Sequence, residues 1–209
     1  AGTYQPDTAQ TSCLDADAGY YVPSTGQLSQ TACSTGTFQP DMGQQSCDNA
    51  GRGYYVDTTA STSETECAVG TYQPDFGQSS CLDADAGYYV DETAQQYQTA
   101  CAAGTYQPDT AQTSCLDADA GYYVGTTASS SQTECAVGTY QETTGQSSCD
   151  DADAGYYVDS TASDSQTECA VGTYQETTGQ SSCDDADAGY YVGTTASSSQ
   201  TECAVGTYQ

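Results

Sequence analysis

The sequence predicts a small, disulfide-rich, all-β or irregular tandem-repeat rod. Three observations predict it: twelve cysteines whose spacings alternate between 20 and 14 residues, a glycine every 17 residues, and only 17 Leu, Val, Met and Phe side chains in 209 residues. A β-solenoid with one 17-residue coil per half-repeat fits the same invariant spacing and stands as the alternative.

The repeat comes first. Cysteines fall at 13, 33, 47, 67, 81, 101, 115, 135, 149, 169, 183 and 203, which gives a period of 34 residues without insertion or deletion. The chain therefore reads as one continuous array, 1–34, 35–68, 69–102, 103–136, 137–170 and 171–204, with 205–209 starting the next repeat. Gly2-Thr-Tyr-Gln near the start and Gly206-Thr-Tyr-Gln at the end share one phase, which suggests a window of a longer chain. Each repeat is two diverged 17-residue halves. Glycine opens each half, and an aromatic follows two positions later: Tyr4, Tyr21, Phe38, Tyr55, Tyr72, Tyr89, Tyr106, Tyr123, Tyr140, Tyr157, Tyr174, Tyr191 and Tyr208. These aromatics are the expected packing ladder.

Local structure follows from residue type. Thr, Val, Ser, Gly and Pro dominate and no apolar stripe of helical period appears, so no helix is expected. Gly-Tyr-Tyr-Val and Gly-Thr-Tyr-Gln read as short strands entered from a glycine turn. Pro-Asp-Thr-Ala-Gln and Thr-Thr-Ala-Ser read as turns. A single half carries too little apolar surface to fold alone, so neighbours must stack and a disulfide must staple them.

Aligning the halves ranks the disulfides. One half carries two cysteines 14 residues apart; its sister has Ala16 and Gln30, or Ala84 and Gln98, at those places. A bonded pair is lost or kept together, which favours Cys33–Cys47, Cys67–Cys81, Cys101–Cys115, Cys135–Cys149 and Cys169–Cys183, with Cys13 and Cys203 paired outside the window. The rival pairs cysteines 20 apart, beginning with Cys13–Cys33. A zinc site is not expected, because there is no Cys-x-x-Cys and no histidine.

Cys67-Ala-Val-Gly-Thr-Tyr-Gln-Pro-Asp-Phe-Gly-Gln-Ser-Ser-Cys81 resembles the ephrin-receptor-like cysteine-rich repeat, akin in style to tumour-necrosis-factor-receptor and EGF-like modules. The resemblance covers the whole chain and implies an extracellular scaffold of short disulfide-closed loops without an activity of its own. It departs where Ala16, Ala50, Ala84, Ala118, Ala152 and Ala186 replace the second cysteine of the family's Cys-x-x-Cys.

The net charge of −28, with Arg52 the only basic residue, argues against a nucleic-acid partner or direct membrane insertion. With no His or Lys and oxidised cysteines, a nucleophile would lack a base, so no enzyme and no catalytic residues are expected. Alternating aspartates that end in glycine resemble the first half of a calcium loop, which makes Asp15, Asp17, Asp83, Asp85, Asp117, Asp119, Asp151, Asp153, Asp185 and Asp187 candidate ligands. The third aspartate and bidentate glutamate of such a loop are missing, and a solvated acidic turn is the plainer reading. Repeat two lacks both aspartates and serves as an internal control. Calcium is the one cofactor considered. Serine and threonine number 55, and Thr58, Thr59, Thr126, Thr127, Thr143, Thr144, Thr177, Thr178, Thr194 and Thr195 are candidate O-glycan acceptors.

The expectation is an extracellular, secreted or cell-surface structural protein that self-associates into a filament, fibre or stalk and carries O-linked glycans. The alternative is a ligand-binding adhesion or receptor ectodomain. For that reading the divergent residues Phe38, Met42, Arg52 and Tyr97 are the only candidate patch.

Overall fold

The structure, a computed structural model, describes residues 1–206. It is all-β, with 24 strands of two residues each and no helix among the described residues. Strand β1 (Thr3–Tyr4) follows Gly2 and returns as β2 (Leu14–Asp15), antiparallel with Thr3 opposite Asp15. Strands β3 (Tyr20–Tyr21) and β4 (Thr31–Ala32) repeat this in the next half, with Tyr20 opposite Ala32. Among the described residues every sheet has only two strands. No sheet runs from one half-repeat to the next among the described residues, so hairpins replace the solenoid alternative. The physical reason lies in the backbone: a left-handed residue stands directly before each outgoing strand, and extended structure cannot propagate through it.

The chain divides into two compact bodies, Ala1–Thr99 with Asp109–Ser114, and Ala100–Pro108 with the chain from Cys115 onward. The same rules operate inside each. Two positions per half-repeat have positive φ. One is the invariant glycine, as at Gly36 (φ 82°) and Gly138 (φ 86°). The other lies seven residues on and is either glycine, as at Gly43 (φ 72°), or alanine, as at Ala60 (φ 56°) and Ala162 (φ 55°).

Neighbouring halves are tied by single backbone hydrogen bonds rather than by ladders. Gly2 N–H donates to Val22 O at 2.8 Å and Gln5 N–H to Gln27 O at 3.0 Å, while Gly43 N–H reaches Ala16 O, two halves away, at 2.7 Å. In the second body Gly121 N–H donates to Gln141 O and Ala162 N–H to Cys135 O in the same way. The invariant glycine also touches the half-repeat after next. A Cβ on Gly36 would overlap the Gly77 carbonyl oxygen, and one on Gly121 the Ala162 carbonyl oxygen. Within each body, halves such as those opened by Gly36 and Gly121 therefore lean on the next two, which is how so little apolar surface sustains a fold.

The core is built of small residues. Ala16, Cys33, Ala50, Cys67, Ala84, Cys101, Ala118, Cys135, Ala152 and Cys169 form one fully buried series. A second alternates valine (Val22, Val56, Val90, Val124, Val158, Val192) with glutamine (Gln39, Gln73, Gln107, Gln141, Gln175), the glutamines only 3–6% exposed. Buried glutamine is tolerated because its amide is used. Gln73 Nε2 donates to Ser80 O at 2.8 Å, and Gln73 Oε1 accepts from Asp75 N–H at 3.0 Å. The aromatic series is a half-buried flank beside this core. Tyr4, Tyr21, Phe38, Tyr55, Tyr72, Tyr89, Tyr106, Tyr123, Tyr140, Tyr157 and Tyr174 are half-buried, Tyr191 is exposed, and Tyr208 lies outside the described residues.

Candidate functional site

The chemistry of this chain sits at the junctions between half-repeats, and two kinds of closure alternate there. At one junction a disulfide links the halves: Cys33–Cys47, Cys67–Cys81, Cys101–Cys115, Cys135–Cys149 and Cys169–Cys183, each spanning 14 residues with Cα atoms 5.7–5.8 Å apart. A loop of that size is expected to stabilise by about 3 kcal/mol through the unfolded chain. Cys13 and Cys203 carry free thiols in this structure.

The intervening junctions are closed without sulfur. Gln30, aligned with the cysteine of the sister half, accepts Asp17 N–H through Oε1 and donates through Nε2 to Asp17 Oδ2, both at 2.7 Å. The same clasp joins Asp85 to Gln98, Asp119 to Gln132, Asp153 to Gln166 and Asp187 to Gln200. In repeat two Gly51 stands in place of the aspartate and Glu64 in place of the glutamine, and Gly51 N–H donates to Glu64 Oε2 at 2.6 Å. A carboxylate is tolerated at 64 because none faces it at 51. Sequence reasoning missed this clasp, although the paired change at 51 and 64 was its signal.

The clasp accounts for half of the paired aspartates. Asp17, Asp85, Asp119, Asp153 and Asp187 each receive a glutamine amide. Their partners Asp15, Asp83, Asp117, Asp151 and Asp185 lie exposed on return strands. Asp15, Asp117 and Asp151 lean on the glycine turns at 43, 145 and 179. In three of the pairs the two aspartates thus lie against different neighbours. Among the described residues no three His, Cys, Asp or Glu side chains form a metal-binding group.

All ten candidate acceptor threonines are exposed, but they differ in freedom. Thr58, Thr126 and Thr194 share hydrogen bonds with Ser61, Ser129 and Ser197, while Thr143 and Thr177 donate to Gln141 and Gln175. The second residue of each pair, Thr59, Thr127, Thr144, Thr178 or Thr195, makes no side-chain hydrogen bond among the described residues. Shallow hollows of about 390–420 Å³ recur beside the disulfides, for example that lined by Tyr21, Thr37 and Cys47 and that lined by Tyr157, Thr173 and Cys183.

Acidic surroundings and partial burial act on the phenols. Burial, then the Asp85 carboxylate, raises the Tyr72 pKa. Burial followed by nearby carboxylates, Asp153 and Asp187 first among them, raises Tyr140 and Tyr174. Tyr190 is raised chiefly by the hydrogen bond it donates to Glu202, 3.0 Å away. In repeat two the Arg52 guanidinium lies 5.1 Å from the centre of the Phe76 ring. Phe38 is half-buried, whereas Met42, Phe76 and Tyr97 are exposed.

No curated protein matches this chain. Residues 19–67 match the family model for the tyrosine-protein kinase ephrin type A/B receptor-like repeat. Those residues take in three complete hairpins, Cys33–Cys47 and the Gly51–Glu64 clasp. A module of this kind points to an extracellular or cell-surface setting, where such disulfides persist. The matched hairpin and its 14-residue disulfide recur along the described residues, a pattern that fits a tandem array of ephrin-receptor-like cysteine-rich repeats.

Proposed function

We propose that this chain is an extracellular structural protein that self-associates into a filament, fibre or stalk, with O-linked glycans on its threonine loops. The observation that carries the reading is the uniformity of the junctions. Disulfide and clasp alternate through the described residues, and no cleft gathers a singular set of reactive groups. An active site is normally singular, so the reading assigns no catalysis. The free hydroxyls of Thr59, Thr127, Thr144, Thr178 and Thr195 support glycan attachment at the second residue of each pair. Intact-mass measurement of the secreted protein, with and without reduction, tests the chemistry. The expected result is hexose-sized additions and a gain of two hydrogens for each disulfide; an unmodified, fully reduced chain would contradict it. Light scattering against concentration tests self-association.

A second reading, a ligand-binding adhesion or receptor ectodomain, is favoured by one observation. The divergent residues of repeats two and three include an exposed cation stacked on an exposed ring, Arg52 on Phe76. A binding partner captured only by chains with Arg52 and Phe76 intact would favour it.

A further inference from the structure

Repeat two and the facing turn of repeat three depart from the array at a connected set of positions. Gly51 and Glu64 form the altered clasp. The Asn49 amide oxygen lies beside the Gly77 turn. Arg52, from the same segment as Asn49, stacks on Phe76, from the same turn as Gly77. At the Phe76 position the other repeats carry Thr8, Met42, Thr110, Thr144 and Thr178.

Two features of this patch contribute little to folding. Phe76 is 59% exposed and Met42, at the equivalent position one repeat earlier, is 60% exposed, so neither fills the core. Arg52 is the sole cation in a chain with 29 acidic residues, yet it makes no ion pair and no hydrogen bond among the described residues. Stacking holds a guanidinium by its face and leaves its in-plane N–H donors for a carboxylate, which the planar fork binds in a bidentate way.

We infer that the exposed Arg52–Phe76 pair is the docking site for an acidic strand of a second copy of this chain. Charge complementarity selects that occupant. Elsewhere the surface repels another copy, and here alone a carboxylate gains an unpaired cation. The complementary element is the return strand of the last repeats, where Asp150–Asp151 and Asp184–Asp185 expose doubled carboxylates in place of the Leu82–Asp83 type. The contact is heterologous, with a patch on one copy meeting a different surface on the next. Contacts of that kind propagate as open filaments unless the rotation closes a ring. This inference rests on the self-association reading and names its contact.

The test uses the full oxidised chain in sedimentation velocity over a concentration series, at low and at high salt. The parent is expected to self-associate, more weakly as salt rises. R52E is expected to raise the dissociation constant tenfold or more, and R52Q to raise it by less. A chain carrying D150R and D184R, mixed with R52E, is expected to recover association between the two. Disulfide content and circular dichroism identical to the parent's show that each variant is folded. If R52E associates as tightly as the parent, the docking site is overturned while self-association stands. If the parent stays monomeric throughout, both are overturned.

Discussion

Gln98 closes on Asp85 with both ends of its amide, accepting the Asp85 N–H at 2.6 Å and donating to Asp85 Oδ2 at 2.7 Å. This clasp does at one junction what the Cys101–Cys115 disulfide does at the next. Gln98 and Cys115 occupy the same position of their half-repeats, so alternation of cysteine and glutamine along the array is alternation of two kinds of staple.

The clasp predicts a coupled pair of mutations. Gln98→Glu replaces the donating amide by a carboxylate facing Asp85 Oδ2, and is expected to cost about 1–2 kcal/mol. Asp85→Gly in the same chain recreates the Gly51–Glu64 arrangement and should recover much of that loss. Urea unfolding of the four chains of the cycle measures the coupling. Additive effects would mean that the clasp is incidental.

The invariant glycines separate a steric demand from a conformational one. Gly36→Ala would overlap the Gly77 carbonyl and is expected to cost about 3 kcal/mol or more, as overpacking against backbone does. Gly26→Ala meets nothing within 4 Å at φ 75°, and should cost only about 1 kcal/mol for the left-handed backbone. The reverse change, Ala60→Gly at φ 56°, is expected to gain about 0.5–1 kcal/mol. Equal thermal shifts for Gly36→Ala and Gly26→Ala would contradict the close approach.

The clasp and the glycine contacts mark what the sequence shows and hides. The 34-residue period, the halves and the glycine turns are legible because they are written at fixed spacing. The outgoing strands at Thr3–Tyr4 and Tyr20–Tyr21 are legible from their aromatic, β-branched character. The return strands are not: Leu14–Asp15 and Asp150–Asp151 lie in an acidic motif that reads as a turn, and they become strands only through their pairing. The contact of Gly36 with Gly77 spans 41 residues, beyond any local pattern. The buried glutamines are hidden for a chemical reason, since glutamine reads as surface until its amide is seen to satisfy a loop backbone. The prominence of the tyrosines directed attention to a ladder that the structure leaves half-buried.

Calcium is expected to leave the unfolding temperature unchanged. Asp17, Asp85, Asp119, Asp153 and Asp187 are already held by glutamine, and Asp15, Asp117 and Asp151 lie against glycine turns. A rise in melting temperature that saturates at one ion per aspartate pair, absent from repeat two, would show the pairs to be ligands after all.

The phenols set the alkaline limit. Tyr72, Tyr140, Tyr174 and Tyr190 have pKa values raised in the folded state. Folding therefore favours their protonated forms. The stability they contribute is fully present below the unfolded value of about 10 and is lost as pH rises through the folded values. With no lysine and one arginine in the chain, lysine titration cannot account for a loss there. Phenolate absorbance should show a late-titrating class, and Tyr190→Phe, which removes the bond to Glu202, should shrink it.

The central claim is that uniform junctions build a self-associating extracellular material, and electron microscopy of the purified, oxidised chain tests it most directly. The account predicts filaments whose helical reconstruction shows a rise set by the 34-residue repeat, with density beyond the polypeptide at the threonine loops. Separate, unassembled particles at every concentration, with no added density on Thr59, Thr127 or Thr195, would contradict it.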